Sequence, residues 1–442
     1  MSSDSLPAAL TAAETAIALV SDDPAAAARV ARAVVASDAP AEARVVALRA
    51  LGLARAETDD LTEAARTLRS AVTLARRHSL PGREAQARLS LAGVLVRRGD
   101  TDAALRQLDA AALVAGRVDA VRVAAQRGLV LSRTGHYEAA LSAYRAALPV
   151  LRRAGDFRFV ALVLLNRGAL RAWRGETAAA TRDLQECLAL ASEHKLALLA
   201  ADAAHNLGYA AARAGDVPAA LAAFDRAERM PGITPAQGAI TWLDRAQTLL
   251  DARLATEAAL DARRALAVLE PLGHRLDVGI GWLLVAEAAL LAGAPAAARD
   301  AAGRAGAALR GQRGGPWPAT AAHVCTAARV ATGERGPDLL RAARADVRTL
   351  DRAGWPEPAA RARILLAHLL LAEHRDTAAA TVLAPAAASR RHGPAGLRAA
   401  AWHAEALLRA TRGERAAALT AARTGLRVVA DHAASLGAAD LR

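Results

Sequence analysis

Aromatic residues are scarce in this chain. They make up 3% of its 442 residues, although hydrophobic residues as a whole make up 54%, and alanine accounts for much of the difference. Alanine is the best helix former, whereas strands are enriched in aromatic and β-branched residues. The composition therefore favours an all-α protein over a β-sandwich or a β-barrel.

The sequence has few cysteines and lacks the pattern of a signal peptide or a membrane span. Cys187 and Cys325 are the two cysteines, without a CxxC pair, which excludes a disulfide framework and fits a reducing compartment. The first twenty residues carry acidic groups where a signal peptide carries positive charge. The most apolar run, Gly279–Ala298, contains Glu287 and breaks at Gly293, which predicts a buried helix pair and no membrane span. We therefore expect a cytoplasmic protein.

The motifs of common catalytic sites are missing. The chain contains neither HExxH nor GxSxG. The glycine string Gly303–Gly315 has no preceding strand and no GK[ST] ending, so it does not form a phosphate-binding loop. Cys187 stands where other units have a small packing residue, which favours an inert buried thiol. We predict no catalytic residue, no metal site and no cofactor.

A helix–turn–helix unit recurs along the chain. In the clearest copy, His205–Met230, one helix ends at Ala214, a corner follows at Gly215, and Pro218 lies in the first turn of a second helix. The period is about 40 residues, longer than the 34 that is most common for such units. Eleven corners align, at Asp22, Asp59, Gly99, Gly135, Gly175, Gly215, Arg253, Gly293, Gly333, Arg375 and Gly413.

The units share a pattern of small and large apolar residues. A small residue lies seven positions before the corner, at Gly52, Ala92, Gly128, Gly168, Gly208, Ala246 and Ala286. A larger apolar residue lies nine positions after it, at Leu68, Leu108, Tyr144, Leu184 and Phe224. The repetition of these spacings predicts two helices in close contact within each unit.

This pattern resembles the tetratricopeptide repeat (TPR), whose helix pairs stack because no pair buries its apolar face alone. The resemblance implies an all-α solenoid of about eleven units over residues 1–442, forming a right-handed superhelix whose first helices line a concave groove. The longest interruption is the loop 311–318, GQRGGPWP. It suggests a subdivision into residues 1–310 and 319–442, with a hinge between them.

A narrower resemblance covers most of the chain, best from Val121 to Arg310. The chain is similar to the N-terminal TPR region of actinobacterial CHAT-domain proteins, in which a caspase-like protease domain follows the repeats. The resemblance implies that the repeats bind a partner and control a protease that is absent from this chain, so no catalytic residue carries over. The stretches that carry it are Asn166–Ala180, His205–Arg229, Leu243–Ala265 and Val429–Arg442. The last of these opens a further helix, which fits a fragment of a longer protein.

The charge of the chain is strongly basic, with a formal net charge of +13 and a single lysine, Lys195. The arginines alternate with acidic residues and form no basic tail, which weakens the case for nucleic-acid binding without excluding it. Arginines near the ends of first helices fit either a basic ridge or compensation of the helix dipole. The lysine-rich carboxylate clamp of chaperone-binding TPR domains is excluded, because it needs several lysines in the groove.

The groove is the predicted partner-binding site. Trp173 and Tyr209 beside arginines favour a binding hot spot, although packing between units explains these aromatics almost as well. His205, His323 and His403 occupy equivalent places in separate units, too far apart to share one metal. The predicted groove residues are Arg97, Arg133, Trp173, Asp202, His205, Tyr209, Arg213, Gln247, Asp251 and Glu287.

The repeat pattern predicts a non-catalytic scaffold that binds a protein or peptide and regulates or recruits an attached effector, a CHAT protease in the resemblance. That effector, as the chain's own C-terminal domain, is a second predicted partner. One alternative is the sensor array of a bacterial transcription regulator. Another is an arginine-rich solenoid that binds nucleic acid, for which affinity would fall steeply with salt.

Overall fold

The computed structural model describes residues 5–20, 23–58, 60–231, 233–310 and 317–435. Over these ranges the chain forms 22 α-helices and one 3-10 helix, and no β-strand, so the predicted all-α class is confirmed. The first eleven helices are α1 (Ser5–Leu19), α2 (Pro24–Ala36), α3 (Ala41–Glu57), α4 (Leu61–Arg77), α5 (Pro81–Arg97), α6 (Thr101–Ala112), α7 (Arg117–Arg133), α8 (Tyr137–Arg153), α9 (Phe157–Trp173), α10 (Thr177–Glu193) and α11 (Ala197–Ala214).

The second half of the chain continues the same alternation. Its helices are α12 (Val217–Glu228), α13 (Pro235–Asp251), α14 (Ala255–Leu272), α15 (Arg275–Leu291), α16 (Pro295–Ala308), α17 (Trp317–Ala331), α18 (Pro337–Ala353), α19 (Pro356–Ala372), α20 (Asp376–Leu383), α21 (Ala395–Thr411) and α22 (Arg415–Ser435). The 3-10 helix Ala384–Arg390 continues α20, where Pro385 removes a backbone donor.

The helices form eleven pairs, α1–α2 to α21–α22, and every predicted corner falls between the two helices of a pair. The corner residue adopts a left-handed backbone conformation, with φ of 83° at Gly215 and 66° at Arg253. Glycine enters this region without the steric cost of a Cβ atom, which explains why glycine predominates there. The predicted corners Asp22 and Asp59 lie outside the described residues.

The tenth corner was predicted one residue too late. His374, not Arg375, has the left-handed φ of 57°, and Arg375 is the residue that precedes α20. The expected glycine is missing in this unit, so the sequence offered no landmark for the turn.

An aspartate after the corner fixes the start of many second helices. The Asp216 carboxylate accepts a hydrogen bond from the Ala219 amide at 3.0 Å, and Asp100 accepts one from the Ala103 amide at 3.2 Å. Such a cap satisfies an amide that has no partner within the helix.

Each pair is held together where a small residue of the first helix meets a large residue of the second. A methyl group added at Gly168 would lie 2.6 Å from Leu184 Cγ, and one added at Gly128 would lie 2.8 Å from Tyr144 Cε1. Leu184 and Tyr144 are fully buried. The predicted pattern of small and large residues is therefore the contact surface between the two helices.

The chain folds into two compact units. Unit 1 comprises Met1–Ala210 with Arg229–Ile233, and unit 2 comprises Ala211–Glu228 with Thr234–Arg442. The loop 311–318 falls, except for its last two residues, outside the described residues, so the hinge there stays a prediction. The flanking helices α16 and α17 pack against each other within unit 2.

The apolar run Gly279–Ala298 forms α15 and the start of α16, as predicted, and both helices contribute buried residues to the core of unit 2. In the parts of the chain that the structure describes, no helix combines the length and the apolar character needed to cross a bilayer.

Substitution of Gly168 by alanine tests the close contact within a pair. We expect Gly168→Ala to lower the free energy of unfolding by up to about 2 kcal/mol, because overpacking against Leu184 costs about 1–3 kcal/mol and the gain in helix propensity returns only about 1 kcal/mol. Urea denaturation followed by circular dichroism measures the change.

Gly303 is the matched control, because it lies within α16, is exposed, and has no atom within 4 Å of an added Cβ. Gly303→Ala should raise the stability by up to about 1 kcal/mol. Equal effects of the two substitutions would contradict the packing role of Gly168.

Candidate functional site

Successive first helices form a continuous face within each unit. In unit 1, α3 packs on α5, α5 on α7 and α7 on α9. In unit 2, α13 packs on α15, α15 on α17 and α17 on α19. We call the surface of these helices that is turned away from the second helices the first-helix face.

All ten predicted groove residues share one register on the first helices. They lie two, six, ten or thirteen positions before a corner. Spacings of three and four place side chains on one side of a helix, so this register describes a single stripe. Arg97, Arg133, Trp173, Asp202, His205 and Tyr209 belong to unit 1; Arg213, Gln247, Asp251 and Glu287 belong to unit 2.

The unit 1 residues occupy four different helices. Arg97 is exposed at the end of α5. Arg133 is the last residue of α7, and its side chain lies outside the described part of the structure. Trp173 ends α9 and packs against Tyr137 of the preceding pair, with ring centroids 4.6 Å apart. The partner-binding role of these residues stays a prediction.

The three predicted residues of α11 that belong to unit 1 are half-buried. Asp202, His205 and Tyr209 lie on consecutive turns of the helix, and Tyr209 packs against the core cluster of unit 1. Tyr209 is thus held by packing, whereas Trp173 is 39% exposed and stays a candidate for recognition beside the charged residues.

Unit 2 brings three of its four predicted residues together. The Arg213 guanidinium lies 3.3 Å from the Glu357 carboxylate, although 144 residues separate them. Asp251 interacts electrostatically with Arg361, Glu287, Glu357 and Arg213. Gln247, the fourth predicted residue, is exposed on α13. The structure therefore adds Glu357 and Arg361 to the predicted set.

Two carboxylates of this cluster, those of Asp251 and Glu287, have raised pKa values. Burial raises the pKa of Asp251 to about 6 against the attraction of Arg361, while Glu287 and Glu357 add repulsion. Burial also raises the pKa of Glu287, again opposed by Arg361. Arg361 is thus the cation that both carboxylates share. The cluster contains three carboxylates, those of Asp251, Glu287 and Glu357, and two arginines, Arg213 and Arg361.

His323 completes this part of the face. It is 8% exposed, and its Nδ1 atom is buried without a hydrogen-bond partner. Burial, with repulsion from Arg361, lowers the pKa of His323 to about 4, so the imidazole is neutral at physiological pH. His323 shares the register of His205, ten residues before its corner.

The last helix reaches the same region of unit 2. His432 on α22 lies with its Nε2 atom 3.1 Å from the Asp251 carbonyl oxygen, a contact between residues 181 positions apart. Residues distant in sequence therefore surround Asp251.

Unit 1 contains an arginine cluster that the sequence analysis missed. Arg83 on α5 contacts Glu42 at 2.9 Å, and Arg122 on α7 contacts Asp156 at 2.6 Å and Asp119 at 2.8 Å. The Arg83–Glu42 pair joins α5 to α3, the Arg122–Asp156 pair joins α7 to the residue that precedes α9, and the Arg122–Asp119 pair lies within α7; all are charge-assisted hydrogen bonds.

Arg49 lies at the centre of this cluster. Its Nε atom donates a hydrogen bond to the Ser90 hydroxyl at 2.9 Å. Burial and repulsion from Arg158, Arg122 and Arg83 lower the pKa of Arg49 to about 10, with only Asp119 opposing them. The guanidinium stays charged at neutral pH, but its charge is poorly compensated.

The repeat register contained the signal for most of these missed residues. Arg49 and His323 lie ten residues before their corners, as His205 does, and Arg122 lies thirteen before its corner, as Asp202 does. Arg361 lies thirteen residues before the corrected corner at His374. Applying the register of α11 to every unit would have added Arg49 and Arg122; His323 was already identified by it, and Arg361 fits only with the corrected corner.

No set of three or more histidine, cysteine, aspartate or glutamate side chains among the described residues has the geometry to hold a metal ion. Cys187 is fully buried and its thiol donates to the Ala161 carbonyl at 3.2 Å. Burial, with repulsion from Asp202, raises the pKa of Cys187 to about 12, which disfavours the thiolate that a nucleophile requires.

Three solved structures share the fold. The apo quorum sensor NprR from B. thuringiensis superposes with a TM-score of 0.59 at 13% identity, covering 78% of this chain and 97% of that chain. A Rap protein complexed with competence and sporulation factor has a TM-score of 0.51 at 10% identity, covering 90% and 100%. A signal-transduction ATPase with a tetratricopeptide repeat sensor from Pyrococcus horikoshii has a TM-score of 0.51 at 11% identity, covering 81% and 55%.

These similarities confirm a solenoid of TPR-like helix pairs and extend to the fold alone. No protein-family model matches the sequence, and no curated protein matches it.

The thiol chemistry of Cys187 provides a direct test of its inert state. In the Cys325→Ser variant, Cys187 is the one remaining cysteine. We expect less than one-tenth of this thiol to react with a chromogenic disulfide reagent in one hour at pH 8, and complete reaction in 6 M guanidinium chloride. Rapid reaction of the folded protein would contradict the buried, protonated thiol.

The pH dependence of stability tests the Asp251 cluster. Because the folded-state pKa of Asp251 is raised, the folded chain holds a proton that the unfolded chain releases, and stability falls as pH rises from about 4 to 6. Asp251→Asn removes this loss. We expect the variant to match the wild type at pH 4 and to exceed it by up to about 3 kcal/mol at pH 7.5.

Thermal unfolding between pH 4 and 8 measures this difference. Asp300→Asn, a change on exposed surface of α16, is the control and should give a difference that barely varies with pH. An Asp251→Asn difference that stays constant over this range would show that the carboxylate is not perturbed.

Proposed function

We propose that this chain is a non-catalytic scaffold that binds a peptide or protein partner on its first-helix faces. The observation that carries the proposal is the charge pattern of these faces, in which Arg49 in unit 1 and Asp251 in unit 2 are poorly compensated. Charged side chains that are only partly neutralised within the protein favour recognition of a complementary group. Most apolar side chains of the same helices are buried in the core clusters of the solenoid.

The structural neighbours support a binding role. The Rap protein structure contains competence and sporulation factor, NprR is described as a quorum sensor, and the Pyrococcus protein is described as carrying a tetratricopeptide repeat sensor. Solenoids of this type provide extended surfaces for binding. A sensor role for this chain is therefore compatible with the proposed binding function. The same role is expected if the chain is the sensor array of a transcription regulator.

The finer part of the proposal concerns an effector. The resemblance to CHAT-domain proteins suggests that partner binding regulates or recruits an attached protease. A ligand that binds one conformation of the array better than another would shift the effector between states. Co-expression with a candidate protease domain, with and without the partner, tests this part by the rate of cleavage of a reporter substrate.

Selection from a random peptide library tests the binding role. Peptides of twelve residues displayed on phage are enriched on the immobilised chain, and the selected peptides are measured by fluorescence anisotropy. We expect micromolar dissociation constants and a loss of at least tenfold in affinity in the double variant Arg158→Ala, Arg361→Ala. Both arginines are exposed on first helices, one in each unit.

The matched control is the double variant Arg182→Ala, Arg304→Ala. It removes the same charge from exposed positions of the second helices α10 and α16, and it should bind the selected peptides as the wild type does. Failure to enrich any peptide, or equal losses in the two double variants, would refute binding on the first-helix faces.

A further inference from the structure

The Arg49 guanidinium lies on the first-helix face of unit 1 and takes no part in the ion pairs described above. Its Nε atom is held by the Ser90 hydroxyl on the neighbouring helix, and no other side chain among the described residues hydrogen-bonds or ion-pairs with it. The Arg49 side chain as a whole is half-buried. The structure therefore contains a half-buried guanidinium that is oriented by one hydrogen bond and has no carboxylate partner among the described residues.

The surroundings of Arg49 intensify its positive potential. Arg158, Arg122 and Arg83 all act on it by repulsion. Arg83 and Arg122 are themselves paired with Glu42, Asp119 and Asp156, so these carboxylates are already engaged. A cation that is half-buried among other cations gains free energy when an anion binds beside it.

The geometry of the Arg49 fork limits the anion it can take. Two Nη groups in one plane donate parallel hydrogen bonds to the two oxygens of a carboxylate or of a phosphate group. Because Ser90 already fixes the Nε atom, little side-chain entropy remains to be lost when this fork binds.

We propose that Arg49, oriented by Ser90 and flanked by Arg122 and Arg158, binds a carboxylate side chain of an acidic peptide segment. This inference rests on the proposed binding function and names the chemistry of the partner. The carboxylates of Glu42, Asp119 and Asp156 pair with Arg83 and Arg122. Within this cluster the Arg49 guanidinium therefore lacks a carboxylate partner, and the arginines do not form a continuous basic surface. That arrangement suits a single carboxylate and opposes the continuous charge of a nucleic-acid backbone.

The test uses defined probes and the full chain. Hexaglutamate with blocked termini is the acidic probe, hexaglutamine with the same blocks is the neutral probe, and a twelve-nucleotide single strand of DNA is the polyphosphate probe. Binding is measured by isothermal titration calorimetry at 50 mM salt. We expect hexaglutamate to bind the wild type at least tenfold more tightly than hexaglutamine and more tightly than the DNA strand.

Substitutions at Arg49 separate charge from geometry. Arg49→Gln should weaken hexaglutamate binding at least tenfold. Arg49→Lys should weaken it severalfold, because lysine keeps the charge and loses the bidentate fork. Ser90→Ala should weaken it two- to fivefold, because the guanidinium loses its orienting contact. Arg182→Gln, on the exposed surface of α10, is the matched control and should bind as the wild type does.

Thermal unfolding shows that the variants are folded and reports binding independently. Saturating hexaglutamate should raise the melting temperature of the wild type and leave that of Arg49→Gln unchanged. In the absence of peptide, Arg49→Gln should melt at or above the wild-type temperature, since a repelled charge has been removed.

Three results would overturn the inference: equal binding of hexaglutamate by Arg49→Gln and wild type, equal binding of hexaglutamine and hexaglutamate, or tighter binding of the DNA strand. The proposed function would survive the first two if library peptides still lost affinity in the Arg158→Ala, Arg361→Ala variant. Tighter binding of DNA would instead point to the nucleic-acid alternative.

Discussion

The close contact between a small residue of one helix and a large residue of the next is the constraint on which the structure depends. At Gly168, the missing side chain leaves the space that Leu184 fills. A helix pair built this way buries only part of its apolar surface, so it stacks on its neighbours and the array forms by repetition. Because the units repeat, equivalent positions of successive first helices lie on the same side of the array. These positions form the first-helix faces.

The repeat architecture was readable from the sequence because its signals are local. Left-handed glycines at the corners, aspartate caps after them and the small–large spacing each depend on a few neighbouring residues. At His374 the left-handed residue is not glycine, and there the corner was placed one residue late. The bounds of the helices otherwise follow the sequence pattern, since each pair carries its own start and stop signals.

The candidate site was only partly predictable. The register on α11 defines one stripe on the first helices, and Arg213, Asp251 and Glu287 of that stripe belong to one cluster in unit 2. The pairing of Arg213 with Glu357 joins residues 144 positions apart, and no local pattern encodes such a distance. The arginine cluster around Arg49 was missed for a different reason: its members alternate with carboxylates along the chain, and only the fold shows which arginines those carboxylates neutralise.

The central claim is that partners bind on the first helices of the array. A selected peptide that carries a photoreactive group, cross-linked to the full chain and mapped by mass spectrometry, tests it most directly. The account predicts cross-links to the odd-numbered helices, at positions two, six, ten or thirteen residues before the corners. Cross-links confined to the even-numbered helices, or to the corners themselves, would contradict it.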